Sequence, residues 1–336
     1  MKLLSCLSPG EFEYQEAEMP KVSKGKAIVK IKRIGICGTD LHAFEGTQPY
    51  FSYPRILGHE LAGEVVDIEE NNEISKGDQV TVIPYFSCGT CIACRNGKPN
   101  CCQKISVFGV HEDGGMREFV SVPLTSLVKK EGLNLDQLAL AEPFAIGAHG
   151  VRRAGVKPGQ TVLVIGAGPI GLGVMEFARI AGAKVIAMDI NEQRLQFCKD
   201  AWNIPHVVKA GSSAHEQIQE ITNNDFCDVV IDATGSLAAI NAGFQFIAHG
   251  GAYVLVGLQK GEIAFSHPEF HKREATLMSS RNATREDFDQ VLEAMTSGQL
   301  SIEKYITHKV KFDQVKNDFQ SWLKPETGVI KAVVEL

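Results

Sequence analysis

Between Lys26 and Ile36 the run Ala27-Ile28-Val29-Lys30-Ile31-Lys32-Arg33-Ile34 swaps apolar and polar positions with a period near two, which predicts a strand with one face on a core. Gly35 is expected to break it just ahead of Cys37. Leu61 to Ile68 and Gln79 to Pro84 carry the same character, separated by the turn residues Asn71-Asn72 and Lys76-Gly77-Asp78. Short strands closed by Gly and Asp turns predict a small, irregular β-barrel-like domain that carries side chains on its loops.

The period changes after Lys157-Pro158-Gly159-Gln160. Thr161-Val162-Leu163-Val164-Ile165 is a continuous β-branched and apolar run, as a central parallel strand requires. An amphipathic helix is predicted from Leu172 to Ala181, and Lys184 to Asp189 reads as the next strand. Cys227 to Gly235 and Gly251 to Gly257 repeat the strand pattern and close on small residues. The alternation predicts an α/β architecture with a doubly wound parallel sheet. From Thr284 the character shifts again, with a helix over Arg285 to Ser297, a strand at Ile306 to Val310, a helix around Phe312 to Leu323 and a last strand over Val329 to Leu336. That order predicts a return to the first domain.

Length and composition narrow the classes. A chain of 336 residues is about twice the usual domain length, so two domains are expected. No apolar run reaches the roughly 18 residues of a membrane span, and the start leads into Pro9-Gly10-Glu11 instead of a signal core, so a soluble, cytoplasmic protein without membrane contact is expected. The formal charge of −6, with basic residues dispersed, argues against a nucleic-acid partner. Nine cysteines in such a chain call for metal, chemistry or burial before disulfides.

Four of them stand as Cys88-x2-Cys91-x2-Cys94-x7-Cys102, in a lobe rich in Gly, Pro and Asn that has too few apolar residues to hold itself together. Four thiolates at this spacing fit one closed, structural zinc, with Cys102 preferred to its neighbour Cys101. Cys6, Cys198 and Cys227 sit in ordinary apolar contexts and are expected to be packing residues. A closed site has no open position for chemistry. The candidates for an open, catalytic zinc are Cys37, in Gly35-Ile36-Cys37-Gly38-Thr39-Asp40-Leu41-His42, and the adjacent pair His59 and Glu60, in Gly58-His59-Glu60-Leu61-Ala62-Gly63. Glu142, in the apolar stretch Ala141-Glu142-Pro143-Phe144-Ala145, is a further acid. It is read either as a ligand, direct or through water, or as an acid at a helix N-terminus.

Directly behind the strand ending at Ile165 stands Gly166-Ala167-Gly168-Pro169-Ile170-Gly171. Glycines at 166, 168 and 171 allow the tight turn, the approach of a pyrophosphate and close helix packing, the N-terminus of the following helix favours the phosphate charge, and Pro169 and Ile170 between the glycines are expected at the cofactor too. Asp189 ends the following strand, where a carboxylate accepts bonds from a ribose and repels a 2′-phosphate, so NAD is expected over NADP. Arg194 lies close enough in sequence to bind a 2′-phosphate, stack on adenine or pair with Asp189.

With these motifs assembled, the sequence resembles the zinc-dependent medium-chain alcohol dehydrogenase superfamily over nearly its whole length. Glu142 in place of a cysteine looks like the polyol, sugar-acid and threonine dehydrogenase branch. The stretches Gln48-Pro49-Tyr50-Phe51-Ser52-Tyr53-Pro54-Arg55 and Ser280-Arg281-Asn282-Ala283-Thr284 look most like hexonate 5-dehydrogenases. The resemblance implies a GroES-like catalytic domain, 1–148 and 283–336, split around a Rossmann nucleotide-binding domain, 149–282, with the active site in the cleft between them. It implies one catalytic and one structural Zn2+, NAD bound also through Val256, Gly257 and Ser280, and a homodimer or homotetramer. The substrate would be a small molecule, an L-hexonate oxidised at C5, with Arg281 and Asn282 facing it. Zinc would be held by Cys37, His59 and either Glu60 or Glu142, Asp40 would hydrogen-bond His59, and a proton would leave through Thr39 and His42. Oxidation of a neutral or phosphorylated polyol or of threonine, and a zinc-free NAD-binding protein of the same fold, are the alternatives.

Overall fold

The computed structural model describes residues 1–48, 51–69 and 73–336. The expected Asn71-Asn72 turn, and Pro49 and Tyr50 of the hexonate-like stretch, lie outside the described residues. The chain divides into two compact units, one formed by Met1–Pro143 with Ala283–Leu336, the other by Phe144–Asn282.

In the first unit the dominant sheet runs in the order Leu127–Lys129, Gln79–Val82, Glu60–Ile68, Lys26–Ile36, Lys331–Glu335, Ile306–Lys311, and Phe119–Pro123 also pairs with Lys26–Ile36. Every pairing is antiparallel except the last, between Lys331–Glu335 and Ile306–Lys311. Alternation puts Val29, Ile34, Leu61, Val65, Val82, Val120 and Val334 into one core, and each such side chain contributes about 1.5–3 kcal/mol by leaving water. The chain's late return is tied in by a half-buried ion cluster. Asp136 accepts from Arg33 at 2.7 Å and from Lys309, while Arg33 also meets Glu335 at 3.3 Å.

Two local expectations are corrected. Gly35 does not end the strand that starts at Lys26, which continues to Ile36. It stands opposite Glu60 in the ladder, and a Cβ at Gly35 would lie 1.9 Å from a Glu60 carboxylate oxygen, so the glycine makes room for an acid inside the sheet. The helix expected around Phe312 to Leu323 is three short pieces, the 3-10 turns Phe312–Gln314 and Phe319–Leu323 around an α-turn at Val315–Asp318. Phe312, Val315, Phe319 and Trp322 are all buried, and the Tyr14 hydroxyl donates to the Phe312 carbonyl. Side-chain packing, not a continuous helical ladder, fixes this segment.

The second unit is a six-stranded parallel sheet in the order His206–Lys209, Lys184–Asp189, Thr161–Ile165, Cys227–Asp232, Ile247–Leu255, Thr276–Ser279. Leu163, Ile165, Ile186, Val230 and Tyr253 build its core with Ala214 and Ile218 of the helix Ala214–Ile221. The order reverses at Thr161–Ile165, so the helix after that strand starts at the switch point, where open α/β sheets receive ligands.

Candidate active site

The strand Lys26–Ile36 delivers Cys37, which caps the N-terminus of the helix Gly38–Glu45. Beside it His59 precedes the strand Glu60–Ile68, turned into place by Gly58 at φ +92°. One donor atom each from Cys37, His59 and Glu60 lie within 4.8 Å of one another, with His59 and Glu60 buried and Cys37 half-buried. A thiolate, an imidazole and a carboxylate converging in this way fit zinc. Glu142 is not in this close set among the described residues.

Asp40 joins the two ligand segments. Its carboxylate is buried and accepts from the backbone N–H of Cys37 at 3.0 Å and of Gly58 at 3.1 Å. His59 Nδ1 is 3.6 Å from Asp40 Oδ1, an electrostatic contact slightly longer than the expected hydrogen bond. Burial would raise the Asp40 pKa, but His59 and the two N–H donors together hold it below the usual range. Burial likewise opposes a charged His59, yet Asp40 first and then Cys37 hold its pKa well above the ordinary value. The pocket is thus built to surround a positive charge, which suits a divalent cation as well as an imidazolium.

Three residues of this site were not singled out in the sequence. Lys331, 1% exposed, donates to both Glu60 oxygens at 2.6 and 2.8 Å. The Tyr85 hydroxyl donates to Glu142, and Tyr305 is fully buried with its ring 5.9 Å from the Lys331 ammonium. The signal for Lys331 was present, a cation amid Val329-Ile330 and Ala332-Val333-Val334, where only a buried partner makes a lysine tolerable. Glu142 opens the helix Ala141–Ala154, so the acid is both at a helix N-terminus and close to Tyr85. Burial pushes its carboxyl up to about 7, with His59 pulling it down and Glu60 pushing it up.

Thr39 and Asp40 lie in the first turn of the helix that Cys37 caps. His42 is on the same helix with its side chain 60% exposed, its Nδ1 3.4 Å from Glu45 and 3.3 Å from the Thr47 hydroxyl.

The second cluster stands apart in the lobe. The sulfurs of Cys88, Cys91, Cys94 and Cys102 lie within 4.8 Å of one another, Cys102 is buried, and Cys101 is exposed. Backbone N–H groups of Cys88 and Lys104 point at the Cys102 sulfur at 3.3 Å. The Thr90 backbone and hydroxyl, then the Cys91 N–H, bring the Cys88 thiol down to about 5, toward the ligating thiolate. Ile92, the largest apolar side chain between Cys88 and Cys102, is 57% exposed, so it adds no buried core to the lobe that a metal would otherwise hold.

In the second unit Gly166 takes φ +101°, and a Cβ on Gly171 would lie 1.8 Å from the Gly166 carbonyl oxygen. The turn therefore closes directly against the helix Pro169–Ile180, with Gly168 as its N-cap. Asp189 is buried and accepts from the Ala167 N–H at 2.6 Å and the Asn191 N–H at 2.8 Å, fixing the strand end to the glycine turn. Arg194 is exposed, its guanidinium 3.8 Å from where a Gly168 Cβ would stand. Gly257 abuts Gly235, where a Cβ would meet a backbone nitrogen at 2.1 Å, and Val256 and Gly257 both donate to the Asp232 carbonyl. The Ser280 hydroxyl is buried without a hydrogen-bond partner, Arg281 is exposed, and Asn282 adopts the left-handed φ of +53° that asparagine tolerates best after glycine. These residues close the second unit.

Residues 23–132 match the alcohol dehydrogenase GroES-like domain and residues 169–297 the zinc-binding dehydrogenase family. The chain is 43% identical over 99% of its length to L-galactonate-5-dehydrogenase of Escherichia coli (strain K12), covering 98% of that protein. It is 32% identical over 92% of its length to a probable D-xylulose reductase A of Aspergillus clavatus, covering 90% of it. A solved structure of a short chain alcohol dehydrogenase (rspB) from Escherichia coli CFT073, complexed with NADH, superposes with TM-score 0.93 at 29% identity over 100% of this chain and 99% of that one. The chain belongs to the zinc-binding alcohol dehydrogenase family.

Proposed function

We propose that the protein oxidises a secondary alcohol of a sugar acid, an L-hexonate at C5, and passes the hydride to NAD. The converging Cys37–His59–Glu60 set carries the reaction class; the galactonate dehydrogenase relative supports the substrate class. Zinc held by these three residues would supply a Lewis acid for the substrate's oxygen, and NAD on the Gly166–Gly171 turn the hydride acceptor. The chain's own residues do the rest. Asp40 keeps His59 in place through contacts to both ligand segments. The Thr39 hydroxyl takes the substrate's proton, which leaves by way of exposed His42. Glu142, held by Tyr85, is the carboxylate nearest in kind to a stand-by base, and Arg281 supplies the cation that a hexonate carboxylate needs. Cys88, Cys91, Cys94 and Cys102 hold a second, structural zinc.

Among the described residues no helix is long and apolar enough to cross a membrane. The reading includes a cytoplasmic homodimer or homotetramer, for which the open edge strand Thr276–Ser279, with Leu277 38% exposed, offers a pairing surface.

Steady-state NAD reduction with hexonates, neutral polyols and threonine tests the reading. Hexonates should give the highest kcat/KM, and Arg281→Ala should raise their KM by about 10-fold or more while leaving neutral polyols nearly unchanged. A wild type that prefers neutral polyols would move the assignment to the polyol reading, which the D-xylulose reductase relative favours.

A further inference from the structure

Lys331 uses all three of its donors inside the protein, two on Glu60 at 2.6 and 2.8 Å and one on the Ile36 carbonyl at 3.0 Å. It is 1% exposed, in a strand whose next three residues are buried and apolar. Burying an ammonium is costly before compensation, and replacing a buried ion pair by well-packed apolar residues is often neutral or stabilising. The pair is therefore poorly explained as a brace. Its location is informative, since Glu60 shares its carboxylate between Lys331 and the cluster with Cys37 and His59.

The charges give the consequence. A dication facing a thiolate and a carboxylate has its charge cancelled, which dulls its pull on a substrate oxygen. An ammonium on the far side of the carboxylate draws part of that negative charge away. We propose that Lys331 is a positioning residue that controls the grip of Glu60 on the catalytic metal, weakening the carboxylate as a donor so that the ion keeps its electrophilic character. This rests on the reading of Cys37, His59 and Glu60 as zinc ligands.

The test uses the full-length, zinc-loaded protein and its cobalt-substituted form, comparing wild type with Lys331→Met, Lys331→Gln and Lys331→Arg. The two uncharged variants, which remove a positive charge from beside the dication, are expected to bind the catalytic zinc about 10-fold more tightly in chelator competition, with a shifted cobalt d–d spectrum and kcat about 10-fold lower. Their melting temperature should also fall more steeply than that of wild type on chelation, because without metal Glu60 is left as an uncompensated buried charge. Lys331→Arg, which keeps the charge, should return zinc affinity toward the wild-type value. A lower melting temperature with zinc affinity and cobalt spectrum unchanged would reduce Lys331 to a structural brace and overturn the proposal. Glutamine, which keeps a polar contact to Ile36, carries the same test where methionine does not fold. Wild type that takes up no metal at Cys37, His59 and Glu60 would overturn the ligand reading and this inference together. Normal metal uptake with unresponsive Lys331 variants would overturn only the inference.

Discussion

In the proposed reaction, one helical turn would hold two parts of a proton path, Thr39 and His42. Thr39 lies two residues after Cys37, the proposed ligand, and His42, on the same helix, has an exposed imidazole beside Glu45 and Thr47. Thr39→Ala is expected to lower kcat by about 100-fold with NADH affinity, read by fluorescence titration, unchanged. His42→Ala should lose less, and small amine bases should restore part of it. Asp189 makes a second test at this scale. Its carboxylate is anchored by the Ala167 and Asn191 N–H groups, which fixes it beside the glycine turn proposed to hold NAD. Asp189→Ala should relax preference for NAD over NADP by about 10-fold, about 1.4 kcal/mol, in competing kcat/KM values. Most of these residues were legible because spacing advertises them. Lys331 and Tyr85 were not, because each earns its role through a partner far away in the chain, Glu60 being 271 residues from Lys331 and Glu142 57 from Tyr85.

Elements differ in how far their neighbourhood decides them. The strand, glycine turn, helix and acid of the second unit were readable because one βαβ unit contains the whole pattern. The Phe312–Leu323 segment was misread as one helix because its apolar spacing is satisfied equally by a helix and by short turns pressed on a core. Gly35 was misread because a glycine that admits a side chain from the next strand looks, in sequence, like a glycine that ends one. The two metal clusters divide along the same line. The cysteine lobe has no apolar core, so Cys91→Ser should remove its zinc, reduce soluble yield and lower the melting temperature by about 10 °C or more. Cys37 stands on a sheet with a full core, so Cys37→Ser should give a folded, inactive protein that keeps one zinc. Equal destabilisation by the two changes, followed by thermal melts and metal analysis, would remove the distinction.

At the scale of the molecule, the first unit depends on segments from both sides of the second. Asp136 meets Arg33 from an early strand and Lys309 from a late one. Burial would raise the Asp136 carboxyl, but Lys309 and Arg33 hold it below the usual range. A depressed folded pKa means that this stabilisation is complete above the unfolded value, near 4, and is lost as pH falls through the folded one. Asp136→Asn should therefore cost about 1 kcal/mol at pH 7, and the gap between variant and wild type in urea melts should close as pH drops toward 3. The same long reach has a consequence for how the polypeptide is made. Only 14 positions separate Cys88 from Cys102, so a ribosome-bound nascent chain can fill the cysteine cluster with zinc early. Glu60 waits for Lys331 until the intervening second unit has been translated, so the Cys37–His59–Glu60 cluster is expected to be completed later than the cysteine one, and stalled chains lacking the strand Lys331–Glu335 should carry the structural ion but no competent catalytic one.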